Sequence, residues 1–180
     1  MLNLERRVNG DPSVSVALTE AGRAQSRLLG ERLGELRLDL CVHTRFGRTR
    51  ETAVLALAGR DVPLREEPLF DDIDVGDLEG LPIDEYRRLK LELGRSNPFP
   101  GGESLDDAAR RYATAYRSLL EAPEENVLVI CHEIPIRYAL NALAGAPELD
   151  VPRLQIGNAS PYFLDEEELA RVVAGIERLT

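Results

Sequence analysis

The stretch Asn126-Val-Leu-Val-Ile-Cys-His-Glu-Ile-Pro-Ile-Arg137 decides the fold. Val127 to Ile130 is a continuous β-branched and leucine run, the composition of a strand buried on both faces, and the strand is expected to end at Cys131. Pro135 suits the first turn of a helix, where a missing N–H costs nothing, so a helix is expected to start near it. His132 then sits at the carboxyl end of a buried strand and against a helix N-terminus. In an open α/β sheet that edge is where ligands bind, and free backbone N–H groups with the positive end of the helix dipole favour an anion, phosphate first of all. Position alone does not separate this from a histidine that closes a strand and is chemically inert.

Length and charge narrow the classes. The 180 residues suffice for one domain, residues 1–180, with a substantial core that needs neither metals nor disulfides. Two cysteines, Cys41 and Cys131, each within an apolar run, read as buried reduced thiols, which points to a cytoplasmic protein. No stretch approaches the length of a membrane span, and no signal-peptide pattern opens the chain. A net charge of -10 argues against nucleic-acid or anionic-membrane binding. All basic residues but Lys90 are arginines, so a single arginine carries little weight.

Outward from the central stretch, Met1 to Gly10 reads as a loop, with a turn at Asn9-Gly10-Asp11-Pro12. Thr19 is an N-cap for a helix in which Ala21, Ala24, Leu28, Leu29, Leu33 and Leu36 recur near a 3.6 period. Leu38 to His43 is the next strand and Gly47 to Ala58 the next helix. Between them Arg45, Arg48 and Arg50 again follow a strand's carboxyl end. Positive charge on a first helical turn is unfavourable with the dipole unless an anion is near, which favours an arginine facing the same crevice as His132 over three solvated ones. Leu69 to Gly80 is an acidic loop. Its spacing lacks the EF-hand order of ligands, so it reads as a lid offering one carboxylate. Helices are expected at Ile83 to Leu93, at Leu105 to Glu121 with Ser104 as cap, and at Glu166 to Leu179. Asn158 to Leu164 is expected to be an edge strand, given Pro161.

These motifs, in this order, resemble the histidine phosphatase superfamily, the phosphoglycerate mutase-like group. Leu18-Thr-Glu-Ala-Gly-Arg-Ala-Gln25 is similar to its "PLTxxGxxQA", and Thr44-Arg-Phe-Gly-Arg-Thr-Arg-Glu-Thr-Ala53 to its "SPLxRAxQTA". Asp72-Ile-Asp-Val-Gly-Asp-Leu-Glu-Gly80 resembles "ExxFGxWEG", Gly101-Gly-Glu-Ser104 "GES", and Val129-Ile-Cys-His132 "VVSHG". The resemblance covers nearly the whole chain; each motif alone is weak, and five in order are strong. It implies a three-layer α/β/α sandwich that removes phosphate through a phosphohistidine. Arg48 and His132 are then the groups that hold and stabilise the phosphoryl group, because charge spreads over its equatorial oxygens during transfer. Asp72 takes the place of the glutamate that protonates the leaving alcohol, one methylene shorter.

The chain departs from the family in two places. It contains no Arg-His-Gly, the motif that follows the family's first strand and supplies the nucleophile, and its other histidine, His43, falls where the family has serine. Leu2-Asn3 matches the "WN" that closes that motif, so the nucleophile is expected about four residues before Met1, preceded by a strand of roughly six residues. Met1 is accordingly expected to be an internal start, with a genuine truncation as the alternative. Without that central strand, backbone and apolar groups of its neighbours are left uncovered, and the chain is expected to rearrange or recruit a partner. Glu133 stands where the family has glycine, a carboxylate that must point away from phosphate or select a cationic substrate.

Cys131 and Arg137 also spell C-x5-R, the cysteine-phosphatase loop, yet Pro135 removes a phosphate-binding N–H and Glu133 brings negative charge, so the match is a decoy. The resulting expectation is a phosphomonoester hydrolase acting on a small phosphorylated metabolite, with Arg48, His132 and Asp72 catalytic, Arg48, His132 and Glu133 lining the substrate, and neither metal nor cofactor. Little room for the segments by which mutases retain substrate favours a phosphatase. The alternative is an inactive module that binds a phosphorylated ligand through Arg48 and His132. A homo-oligomer is compatible with either.

Overall fold

A computed structural model describes residues 6–14, 16–151 and 156–180. The match at Leu2-Asn3 lies outside the described residues. Three short parallel strands, β1 (Leu40–His43), β2 (Leu64–Glu66) and β3 (Val127–Ile130), form a sheet in the order β2-β1-β3. Leu40 stands opposite Val127 and His43 opposite Ile130, so β1 and β3 end level with each other.

Alternation along the strands builds the layers. Cys41, Leu128 and Ile130 face α1 (Glu20–Leu33) and α2 (Gly47–Ala56), where Leu29, Leu33, Ala53 and Ala56 are buried. Leu40, Val42, Val127 and Val129 face the larger core, which holds Tyr112 of α4 (Leu105–Leu120), Tyr138 of α5 (Glu133–Leu143) and Ile176 of α6 (Glu166–Arg178). α3 (Ile83–Leu93) lays Ile83, Tyr86, Leu89 and Leu93 against the same core. The arrangement is the expected α/β/α sandwich.

Local chemistry accounts for most boundaries. Thr19 Oγ1 accepts from Gly22 N at 3.0 Å and starts α1, while Ser104 and Asp107 form a reciprocal capping box at α4. Leu28 and Leu36 are exposed, contrary to the periodic pattern, because α1 stops at Leu33 and turns its other face to α2. β2 was not expected: Leu64 and Glu66 are exposed, Arg65 is half-buried, and the three carry no apolar run. Asn158 to Leu164 forms no strand. Ala159 has a left-handed φ of 49°, which breaks extension within the segment. β3 itself is half-buried along its length rather than fully buried, since β1 is its single described neighbour.

α1 and α2 approach closely at Gly30, where an added Cβ would lie 2.4 Å from the carbonyl oxygen of Ala56. Backbone cannot yield as a side-chain tip does. Gly30→Ala is expected to cost about 1–3 kcal/mol through forced separation of the helices, read as a lowered urea midpoint. An unchanged midpoint would show that the helices part freely.

Candidate active site

The level ends of β1 and β3 bring Thr44 and His132 side by side. His132 is the N-cap of α5 with extended backbone (φ -119°, ψ 172°), and its Nε2 lies 3.0 Å from Thr44 Oγ1. α5 begins at Glu133, two residues before the expected Pro135, which occupies the third helical position instead. The N–H groups of Glu133 and Ile134 therefore stand at a helix start without intrahelical acceptors.

α2 brings in the cation. Arg48, the second residue of α2, reaches His132 Nδ1 with Nη2 at 3.1 Å, and the same nitrogen lies 3.6 Å from Asp72 Oδ2. Asp72 Oδ2 is 3.7 Å from His132 Nδ1, so the three side chains converge on one point. Buried Phe46 supports two of them: Arg48 Cζ lies 4.1 Å above its ring centroid, and the His132 ring meets it edge-on at 4.5 Å. A guanidinium has no acceptor, so Arg48 donates to His132 Nδ1 and the imidazole proton sits on Nε2, donated to Thr44. Thr49 continues the chain, with its hydroxyl 2.8 Å from Thr44 Oγ1 and from Phe46 O.

Burial, with Arg48 and Arg111 adding to it against Asp71, pushes the His132 imidazole down to about 3, so it is neutral at pH 7. Desolvation raises the Asp72 carboxyl above the usual range, opposed by Arg48, by its hydrogen bond from Ile73 N (3.1 Å) and by Arg111. A fixed cation, a neutral imidazole and a carboxyl that holds its proton more tightly than usual thus share one crevice. Such a set can bind an anion, orient it, and hand a proton to a leaving group.

The other sequence candidates go elsewhere. Arg45 is tied to Asp71 through Nε at 2.5 Å, and Arg50 is exposed. Glu133 is the exception: exposed and paired with Arg137 one turn on, it lines the same cavity as Arg48 and His132. His43 is buried, with Nδ1 2.8 Å from Thr44 O. The Cys131 thiol is pushed up to about 12 by burial, which keeps it protonated and removes the nucleophile a C-x5-R loop requires. The acidic loop is pinned by hydrogen bonds from α4 rather than hinged as a lid.

Three neighbours escaped the sequence reading. Thr44 and Phe46 belong to the Thr44 to Ala53 motif but were given no role. Asn9 is 7% exposed, and its side-chain oxygen and nitrogen have no partner among the described residues, while its carbonyl accepts from Arg48 Nη2 at 3.2 Å. It is held there because Gly10 N donates to Glu79 Oε2 at 2.7 Å and Val8 N to Leu81 O at 2.9 Å. The turn Asn9-Gly10 is a weak signal for such a placement.

A cavity of about 1400 Å³ runs along β3, lined by Val127 to Ile130, by Leu29, Leu33 and Leu164, and at the carboxyl end of the strand by Asn9, Arg48, Asp72 and His132. No described helix is long and apolar enough to cross a membrane.

A profile of the histidine phosphatase superfamily (branch 1) matches residues 1–176. The "Probable phosphoglycerate mutase GpmB" of Salmonella choleraesuis is 27% identical over 181 aligned positions, covering 96% of this chain and 83% of that protein. Among solved structures, YhfR of Bacillus stearothermophilus superimposes with a TM-score of 0.73 at 27% identity, over 87% of this chain and 81% of that one. A mycobacterial glucosyl-3-phosphoglycerate phosphatase in complex with VO3 gives 0.72 at 28% identity, over 88% and 84%.

Proposed function

The chain belongs to branch 1 of the histidine phosphatase superfamily, and from that premise we propose that it is the phosphoryl-binding part of a phosphomonoester hydrolase acting through a phosphohistidine. The observation that carries this is the convergence of Arg48, His132 and Asp72 within 3.7 Å of one another at the carboxyl end of β3. Arg48 neutralises the phosphoryl oxygens, and the N–H groups at the start of α5 add donors. His132 exchanges its contact with Arg48 for one with a phosphoryl oxygen and takes up a proton as the dianion arrives. Asp72 protonates the leaving alcohol. The orphaned amide of Asn9 gains a partner when an oxygen-rich group occupies the crevice.

The nucleophile is supplied by a histidine preceding Met1, on a strand that occupies the cavity along β3. In that position a strand parallel to β3 would end beside Arg48 and His132, as in-line attack requires. Hydrolysis is preferred to mutase chemistry because a single helix, α3, separates the acidic loop from Gly101, which leaves little to retain an intermediate. The substrate is a small phosphorylated metabolite.

The test compares residues 1–180 with the product translated from the in-frame codons upstream of Met1. The longer product is expected to carry an acid-labile phosphate on an upstream histidine after incubation with a labelled phosphomonoester and a base quench. Residues 1–180 are expected to bind vanadate without turnover. Turnover by residues 1–180 alone would refute the need for an upstream histidine. Vanadate binding with no phosphoenzyme in the longer product would establish the phospho-ligand-binding module instead.

A further inference from the structure

The Gly101-Gly-Glu-Ser104 motif and the acidic loop meet at a partly buried ion pair that the phosphoryl chemistry does not use. Arg111 lies on α4, and its guanidinium is committed on all sides. Nη1 donates to the carbonyls of Leu69 (2.9 Å) and Asp71 (3.1 Å), and Nη2 to the carbonyl of Asp72 (3.3 Å). Nη2 and Nε also grip the two carboxylate oxygens of Glu103 at 2.5 and 3.2 Å. Both side chains are one-fifth exposed. Glu103 Oε1 in turn accepts from Asp74 N at 3.0 Å, and Glu103 N donates to Asp74 O at 3.0 Å. Tyr112, the next residue of α4, adds a hydrogen bond to Asp71 O at 2.9 Å. The backbone is therefore held on both sides of Asp72, before it by Arg111 and Tyr112 and after it by Glu103.

We propose that Arg111 and Glu103 are the positioning pair for Asp72, fixing the backbone from which its carboxyl reaches Arg48 and His132. This rests on the reading of Asp72 as proton donor. An aspartate has two side-chain torsions with which to meet its target, so an error of backbone position passes directly to the carboxyl. Three carbonyls and a carboxylate around one side chain occupy the five donors of a guanidinium, and the three donors of an ammonium cannot reproduce this. Gly76 completes the clamp: its φ is 51°, and a Cβ there would lie 2.2 Å from the carbonyl oxygen of Pro100. The loop closes on the segment before Glu103 without a side chain between them. Arg111 also supplies positive charge that counters the desolvation of Asp72.

The experiment follows the Asp72 carboxyl by carbon NMR in residues 1–180 labelled at aspartate, in the wild type and in Arg111→Met, Arg111→Lys and Glu103→Gln, with Asp72→Asn to assign the signal. Arg111→Met is expected to raise the Asp72 titration, and Arg111→Lys to leave it displaced despite the retained charge. Vanadate affinity, which depends on Arg48 and His132, is expected to stay within about threefold in the folded variants, a smaller change than loss of a direct charged contact gives. A merely structural pair would lower the urea midpoint and leave the Asp72 titration in the folded variants where it is; that outcome overturns the proposal. In the longer product, Arg111→Lys is expected to slow hydrolysis of an alkyl phosphate more than that of p-nitrophenyl phosphate, whose leaving group needs no proton. Equal slowing would also overturn it. If Asp72→Asn spares alkyl phosphate hydrolysis, the donor assignment fails, whereas the titration still decides whether the pair positions Asp72.

Discussion

Arg48→Ala is expected to weaken vanadate binding by about 100-fold to 1000-fold, the loss that follows truncation of one partner of a desolvated charge contact. Its side chain is 16% exposed, stacked on Phe46 and aimed at His132 and Asp72. Two groups are stranded with it. His132 Nδ1 loses its donor, and Asp72 loses the nearest cation and holds its proton to higher pH. The fold tolerates this because Asp72 becomes neutral rather than an unpaired buried charge. Arg48→Lys is expected to recover part of the affinity, since a point charge cannot donate to an oxyanion and the imidazole in one plane. Calorimetric titration of vanadate into the wild type and both variants is the measurement. Binding by Arg48→Ala within threefold of the wild type would sink the site.

What could be seen in the sequence were features written within a few residues. α3 was expected at Ile83 to Leu93 and spans those residues, and the caps of α1 and α4 announced themselves as Thr19 and Ser104. The order of motifs gave the family and the convergence of three elements on one crevice. The residues alone did not choose among Arg45, Arg48 and Arg50; the resemblance did, and α2 geometry gives the reason, because Asp71 takes Arg45 while Arg50 turns to solvent. Features that depend on distant partners were illegible. Arg111 acts on carbonyls about forty positions away, and nothing in its neighbourhood on α4 distinguishes it from Arg110, which pairs with Asp107 on the exposed face. β2 is a strand only because β1 offers it an edge, and Asn158 to Leu164, better patterned, is not one because the backbone turns left-handed at Ala159 and pairs with no described strand. Extended structure is decided between segments, helix starts within them.

His132 is expected to remain neutral far below the usual histidine range and to make the protein less stable as pH falls. The unfolded imidazole takes a proton near pH 6.5, whereas the folded one, buried beside Arg48, resists it down to about 3. Between those values the unfolded state binds more protons, so stability declines as pH drops through 6.5 and levels off below about 3. The steepest contribution is about 1.4 kcal/mol per pH unit. Asp72 works in the opposite sense: its raised carboxyl keeps a proton in the folded state that the unfolded chain has released, a contribution present at low pH and lost as pH rises through its folded value. The two overlap above pH 4, so the wild-type curve alone cannot isolate either. His132→Gln removes one of them, because the amide can accept from Arg48 and donate to Thr44 without titrating. The stability of the wild type relative to His132→Gln, from urea unfolding at pH 7, 6, 5 and 4, is expected to fall at each step. A flat difference would mean that Arg48 and burial do not hold the imidazole neutral. The same imidazole gives the binding its pH dependence with the sign reversed: a dianion between Arg48 and His132 raises the imidazole's affinity for a proton, so phosphate binding takes one up. At a fixed charge state of the ligand, affinity is then level above the pKa of the bound complex and rises as pH falls below it towards the free value of about 3, and an affinity indifferent to pH across that window would place His132 outside the anion's reach.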